Sequence, residues 1–129
     1  MRKEEYSMSK INIKMKLKNK DTYLIKNCKG IINNNKITFV EDGIRVNISI
    51  LDNAIKMIRT TDEYKITMEF QKFLTIVGKY DIKDIGILDL KTETRKLFIE
   101  DNKIYIEYIL HIGKENLGLN VFEIEYEAI

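Results

Sequence analysis

Apolar and polar residues alternate with a period of two along most of the chain. In the clearest run, from Ile104 to Ile112, every second residue is apolar. Such alternation is typical of a β-strand with one buried face and one solvated face, and no segment shows a helical stripe. The pattern predicts strands at residues 10–18, 22–32, 36–41, 44–51, 54–60, 63–70, 73–80, 86–92, 94–100, 103–112 and 119–127.

Short segments rich in Asn, Asp and Gly separate the predicted strands. Examples are Asn33-Asn34-Asn35, Asp42-Gly43 and Asp101-Asn102. These residue types accept the positive φ angles that tight hairpins require, so an antiparallel up-and-down meander is expected. An open sheet would leave its apolar face wet and two edges unpaired. The sequence therefore predicts an all-β fold, with the meander closed into a barrel of about 8–10 strands.

The first and last predicted strands carry opposite charges on their polar faces. If these strands pair antiparallel, we expect Lys16 to face Glu125, with Lys14 opposite Glu127 and Lys18 opposite Glu123. Opposite charges across two strands contribute about 0.2–1 kcal/mol per pair. The charges would thus favour one register for the closing strands.

Length and composition fit one domain of 129 residues without a disulfide framework. We expect a flexible segment at residues 1–9 and a single β-barrel domain at residues 10–129. Cys28 is the only cysteine and cannot form an internal disulfide. The sequence shows no apolar segment of the length that a signal peptide or a membrane span requires, so a cytoplasmic protein without a membrane partner is expected.

The basic residues are concentrated in the first third of the chain. Residues 1–40 contain ten Lys/Arg and three Asp/Glu, a net charge of +7, although the whole chain carries only +2. A basic region of this kind can bind RNA or another acidic partner. The first strand offers no outward aromatic residue for base stacking, which makes a nucleic-acid partner less favoured.

A longer pattern begins at Gly78-Lys79-Tyr80 and continues from Gly86 to Thr94 as Gly-Ile-Leu-Asp-Leu-Lys-Thr-Glu-Thr. With the strand that ends at Phe70 and the segment that starts at Lys103, the chain resembles the YwiB-like family of uncharacterised bacterial proteins. The resemblance implies a lipocalin-like, or calycin-like, antiparallel barrel and supplies no functional residues. The chain has no Trp, so it lacks the Gly-x-Trp motif of true lipocalins.

Arg59 is the first candidate for a ligand-binding residue. It shares the inward parity of Ile55 and Met57 in the predicted strand 54–60. A buried guanidinium must find a partner, because its desolvation is costly. Arg59 would either anchor a carboxylate or phosphate of a ligand inside the barrel, or reach the barrel mouth or an internal acid as a structural residue.

Three tyrosines on apolar faces complete the candidate site. Tyr64, Tyr80 and Tyr108 fall on the inward parity of their strands. They could line a small-molecule cavity that has apolar walls and a few polar tips. The alternative is ordinary core packing, with each hydroxyl reaching the rim.

Candidates for catalysis and for metal binding are few. His111 is the only histidine and lies on the outer parity of its strand, and Cys28 has no partner in a catalytic spacing. The hydroxyls of Thr92 and Thr94 could bind a ligand or pair across strands. We therefore expect no enzyme activity, no cofactor and no metal, but a barrel that binds a small, partly apolar molecule, which could be anionic. The alternative is a module that binds RNA or protein through the basic first third.

Overall fold

The computed structural model describes residues 8–129 and contains ten antiparallel strands. Among these residues no helix occurs. The strands are β1 (Met8–Lys18), β2 (Tyr23–Asn33), β3 (Lys36–Glu41), β4 (Ile44–Leu51), β5 (Ala54–Thr60), β6 (Tyr64–Gln71), β7 (Thr75–Ile82), β8 (Gly86–Glu100), β9 (Lys103–Ile112) and β10 (Glu115–Ala128).

The strands close into a barrel in the order of the chain. Each strand pairs antiparallel with its neighbours in sequence, and β1 pairs with β10 to close the ring. A closed ring leaves no strand edge unpaired and hides one face of every strand. The predicted fold class, an all-β up-and-down meander closed into a barrel, is confirmed.

Several strands differ from the sequence-based boundaries: β7 spans Thr75–Ile82 instead of residues 73–80, and β10 begins at Glu115 instead of residue 119. The predicted strands 86–92 and 94–100 form one strand, β8, which continues through a bulge between Thr94 and Lys96. The bulge inserts one residue and restores the inward direction at Leu97, which is why the alternation is broken there without a turn. β1 already begins at Met8, so residues 8 and 9 belong to a strand. The rest of the expected flexible segment 1–9 lies outside the described residues.

The expected register of β1 on β10 is wrong by two residues. Lys14 lies opposite Glu125 and Lys16 opposite Glu123, whereas Glu127 lies opposite Asn12. A shift of two residues keeps every side chain on its own face, so the apolar faces do not exclude it. Glu123 forms its ion pair with Lys103 of β9, at 3.0 Å. The observed register thus still places Lys14 and Lys16 opposite glutamates, but each is paired two residues away from the expected partner.

The turns use the residues that the sequence singled out. Asn34, Asp42, Asn53 and Asn102 have φ angles of 57°, 53°, 59° and 64°. Asn and Asp tolerate this left-handed region better than other non-glycine residues. The segments rich in Asn, Asp and Gly therefore form hairpin turns in the structure.

Gly78 of β7 is required by a close approach between two strands. A Cβ atom at this position would lie 2.0 Å from the carbonyl oxygen of Thr67 on β6. Any larger residue would push the strands apart. This contact explains why a glycine opens the family-like segment Gly78-Lys79-Tyr80.

The core consists of inward side chains from eight of the ten strands. The inward residues of the other two, β2 and β7, are only half-buried. Its centre contains large apolar residues with no exposure to solvent, namely Ile37, Ile48, Ile55, Phe70, Ile106 and Ile124. Burying such side chains contributes about 1.5–3 kcal/mol each. The barrel is therefore held by a packed interior and not by the surface charges.

Candidate ligand site at the polar end of the barrel

Because the strands form a meander, the turns fall at two opposite ends of the barrel. The turns 19–22, 42–43, 61–63, 83–85 and 113–114 lie at one end, which we call the polar end. The turns 34–35, 52–53, 72–74 and 101–102 lie at the other, which we call the apolar end. Each inward side chain therefore lies near the polar end, near the apolar end or in the middle of the barrel, according to its position along its strand.

Polar groups enter the interior chiefly at the polar end. By alternation and pairing, the inward positions near this end include Lys26, Glu41, Arg59, Tyr64, Tyr80 and Asn120, all half-buried. Near the apolar end the inward positions include Ile37, Ile48, Ile55, Phe70 and Ile104, which are at most 1% exposed. These inward residues are thus apolar and fully buried toward the apolar end, and polar and half-buried toward the polar end.

Arg59 lies near the polar end of β5, with Val46 and Ile66 as its neighbours across the two adjoining ladders. Its Nε atom is buried and has no hydrogen-bond partner among the described residues. None of the ion pairs formed by the described residues includes Arg59. The structure therefore gives Arg59 an inward position without an internal acid.

Tyr108 is the most deeply buried of the candidate residues, with 8% of its surface exposed. Its ring packs edge-on against Phe70, with the ring centroids 4.7 Å apart. Burial raises the pKa of Tyr108 to about 12, and the positive charge of Arg59 acts in the opposite direction. β5 and β9 are not neighbours in the ring, so this charge acts on Tyr108 from another part of the barrel.

Thr92 and Thr94, both on β8, are buried with 0% and 1% exposure. The hydroxyl of Thr92 donates to the carbonyl oxygen of Glu69, at 2.6 Å. The hydroxyl of Thr94 has no partner among the described residues, and Thr94 lies directly opposite Tyr108. Of the hydroxyl pair in the sequence, the Thr92 hydroxyl forms a structural contact, and the Thr94 hydroxyl is buried without a partner among the described residues.

Tyr64 and Tyr80 form a pair closer to the mouth of the polar end. Their rings meet edge-to-face, with the centroids 5.8 Å apart and the planes at 77°. Ile66 lies opposite both Arg59 and Tyr80 in the ladders of β6, so an apolar side chain separates the tyrosine pair from the guanidinium. Of the four candidate residues, Tyr64 and Tyr80 contact each other, Tyr108 contacts Phe70, and Arg59 acts on Tyr108 through its charge.

The profile of the domain of unknown function DUF1934 matches residues 14–124, most of the barrel. The chain belongs to this family. The barrel is also similar to the crystal structure of the ywiB protein from Bacillus subtilis, with a TM-score of 0.62 and 16% sequence identity. That similarity covers 95% of this chain and 92% of the other, and shows a shared fold. No curated protein matches the chain.

This DUF1934 barrel has a charge cluster at the rim of the polar end that the sequence did not reveal. The amine of Lys26 contacts Oε2 of Glu41 at 2.6 Å and also the carboxylate of Asp42. The hydrogen bonds to Asp42 and Glu41 raise the pKa of Lys26. Lys26 shares its parity with Leu24 and Cys28, and this alternation could have identified it as inward. The amine is therefore already neutralised within the protein.

A groove on the outer surface of the DUF1934 barrel, beside β1, carries charges of both signs. The groove between β1, β2 and β10 contains Lys14 and Lys29, but also Asp101, Glu125 and Glu127. A lining of both signs gives little net attraction for a polyanion. Within the described residues no group of three or more His, Cys, Asp or Glu could hold a metal ion, and no helix could cross a membrane.

Proposed function

We propose that this protein binds a small, partly apolar molecule in the polar end of its barrel and performs no chemical step on it. The observation that carries the proposal is the buried Nε atom of Arg59, which has no partner among the described residues. An unpaired buried polar atom costs about 1–3 kcal/mol, and a ligand acceptor would remove this cost. A barrel of this size can hold one small ligand near its mouth.

The surroundings of Arg59 support a ligand that is partly apolar. Val46 and Ile66 flank Arg59, and the rings of Tyr64 and Tyr80 lie beyond Ile66. Apolar walls with a few polar groups are typical of small-molecule sites. Such walls would exclude water from the guanidinium and strengthen its hydrogen bonds to a ligand.

Native mass spectrometry of the gently purified full-length protein tests this proposal. We expect a species with added mass in the wild type, which Arg59→Met abolishes. Arg45→Met is the matched control, because Arg45 is exposed on β4 and points away from the interior. If every protein shows only the mass of the polypeptide, and no small molecule added afterwards binds, the proposal is wrong.

Binding of RNA or protein through the basic first third is the alternative, and it has less support. The lysines of β1 face glutamates of β10 across the ladder, as Lys14 does with Glu125 and Lys16 with Glu123. Binding of single-stranded RNA that weakens steeply with salt would favour this alternative, because phosphate contacts release counterions. Without a mobility shift at low salt, it is excluded for RNA.

A further inference from the structure

We infer that a second copy of this chain docks on the outer face of β10 and forms a twofold-symmetric dimer. This inference goes beyond the proposed function and does not depend on it. A groove of about 680 Å³ crosses β2, β1, β10 and β9 on this face, and we call it the β10 groove. Its lining combines basic, apolar and acidic side chains, among them Lys18, Tyr23, Glu107, Leu119 and Val121.

One row of outward residues crosses the β10 groove from strand to strand. The ladders place Lys18 of β1 beside Val121 of β10, and Val121 beside Glu107 of β9. They extend the row to Tyr23 of β2 on one side and to Lys96 of β8 on the other. In ring order the row therefore reads aromatic, cation, apolar, anion and cation, with Val121 at its centre.

This order is self-complementary about a twofold axis that runs along β10 through Val121. In such a dimer, a residue on one side of the axis faces the residue at the same distance on the other side, taken from the second copy. Lys18 of each copy then meets Glu107 of the other, and Tyr23 meets Lys96. An ion pair and a cation over a tyrosine ring are both favourable contacts, so the row fits its own copy.

The charges that the dimer pairs are not used in ion pairs within one chain. None of the ion pairs formed by the described residues includes Lys18, Lys96 or Glu107. Glu107 accepts a hydrogen bond from the hydroxyl of Tyr105, at 3.2 Å, which is a neutral donor. The carboxylate and the two amines can therefore pair with groups of a second copy.

The neighbouring outward residues of β10 are compatible with the same axis. Leu119 precedes Val121 by two residues and is 47% exposed, so it meets its own copy and removes apolar surface from water. Glu123 also meets its own copy, which by itself is repulsive. The amine of Lys103 lies 3.0 Å from the carboxylate of Glu123 and balances its charge.

The size and the mixed charge of this surface favour a weak dimer over a nucleic-acid site. Glu107 and Glu123 line the same groove as the lysines, so they would repel the phosphates of RNA. A row of five strands is about 19 Å wide, because neighbouring strands lie about 4.8 Å apart. So narrow an interface belongs to the small class, and we expect the dimer to dissociate on dilution.

Sedimentation equilibrium of the full-length protein tests the inference. Over a concentration series up to about 1 mM, we expect the average mass to rise from the monomer toward twice that value. Val121→Arg places two like charges at the axis and should raise the dissociation constant about tenfold or more. The control is Val77→Arg, because Val77 is 53% exposed on β7, outside the β10 groove, and it should leave the dissociation constant unchanged.

Charge reversal tests the predicted contact between Lys18 and Glu107. Lys18→Glu and Glu107→Lys each make this contact repulsive, so each variant alone should weaken the dimer about tenfold or more. An equal mixture of the two variants should restore it, because every contact between unlike chains then joins opposite charges. Lys56→Glu is the control, since Lys56 is exposed on β5. Circular dichroism and a thermal melt show that each variant is folded.

Each outcome decides for or against the second copy. A dimer that is weakened by Val121→Arg and by each charge reversal, and is restored by mixing, supports the inference. A monomer at every concentration, a dimer that Val121→Arg leaves unchanged, or charge variants that mixing does not restore would overturn it. If the protein alone stays monomeric and single-stranded RNA or a different protein binds in a way that Val121→Arg abolishes, the groove has another occupant and the inference is wrong.

Discussion

The apolar end and the polar end of the barrel use the same ten strands for different purposes. At the apolar end, inward residues such as Ile48 and Phe70 are completely buried and belong to the hydrophobic core. At the polar end, Arg59 enters the interior with an unpartnered Nε, and Tyr64 and Tyr80 remain half-buried. The first arrangement stabilises the fold. The arrangement at the polar end reduces stability, because a buried donor lacks a partner there. Ile or Leu at that position would avoid this cost, so the arrangement suggests a functional use.

Two isoleucines of β4 give the largest expected contrast between the ends. Ile48 is 0% exposed, whereas Ile44, on the same face of the strand, is half-buried at the polar end. Ile48→Ala should lower the free energy of unfolding by about 2–5 kcal/mol, and Ile44→Ala by about half of that or less. Urea denaturation measures both values. Equal losses would show that the two ends are packed alike.

The buried tyrosine predicts a loss of stability at alkaline pH. The pKa of Tyr108 is about 12 in the folded protein against an ordinary value of 10.0. Between these values the unfolded chain releases the proton and the folded protein keeps it. The stabilisation is therefore complete below pH 10 and falls as the pH rises toward 12, by about 1.4 kcal/mol per pH unit and about 2–3 kcal/mol in total.

Tyr108→Phe should flatten this part of the pH profile in urea titrations between pH 9 and about pH 12. The control is Tyr23→Phe, because Tyr23 is 64% exposed on β2. It should leave the slope unchanged. If the two variants give the same profile, Tyr108 does not hold its proton more tightly in the folded state.

The unpartnered guanidinium predicts that one substitution at the polar end stabilises the free protein. Arg59→Met replaces a buried donor without an acceptor by an apolar side chain of similar length. We expect the free energy of unfolding to rise by about 1 kcal/mol, because the cost of burying that donor disappears. Arg45→Met should change it by less than half as much. A loss of stability in Arg59→Met would instead indicate that Arg59 has a stabilising partner within the protein.

The smallest expected effect on stability concerns the pairing between β1 and β10. In a double-mutant cycle, Lys14→Glu with Glu125→Lys should show a coupling of about 0.2–1 kcal/mol, since these residues lie opposite each other. Lys14→Glu with Glu127→Lys, the pairing expected from the sequence, should show less. Thermal melts at low salt provide the measurement. A stronger coupling to Glu127 would contradict the observed register.

The period-two pattern was enough to predict the strands, the meander and closure, because the direction of each side chain follows from its position in the strand. It could not fix the register of β1 on β10, since a shift of two residues keeps all apolar side chains inside. It also missed the bulge after Thr94, which joins two predicted strands into β8. A bulge depends on local backbone geometry, and residues 92–97 contain neither Gly nor Asn, which could have indicated an irregular backbone.

The candidate site was only partly accessible from the sequence. Parity predicts Arg59 and Tyr108 as inward residues one at a time, but which inward residues lie near each other depends on the order of strands around the ring. Lys26 belongs to the basic first third of the sequence, but the structure pairs it with Glu41. The different roles of Thr92 and Thr94 follow from a single hydrogen bond to the carbonyl oxygen of Glu69, which no sequence pattern predicts.

The pairing of β1 with β10 also has a kinetic consequence. Every other ladder joins strands that a short turn already holds together, whereas this one brings Ile11 next to Ala128. Closing so long a loop costs more chain entropy than closing a hairpin, and contacts of this separation slow folding. The search for this last pairing therefore imposes the main topological delay on folding, and no tight turn assists it.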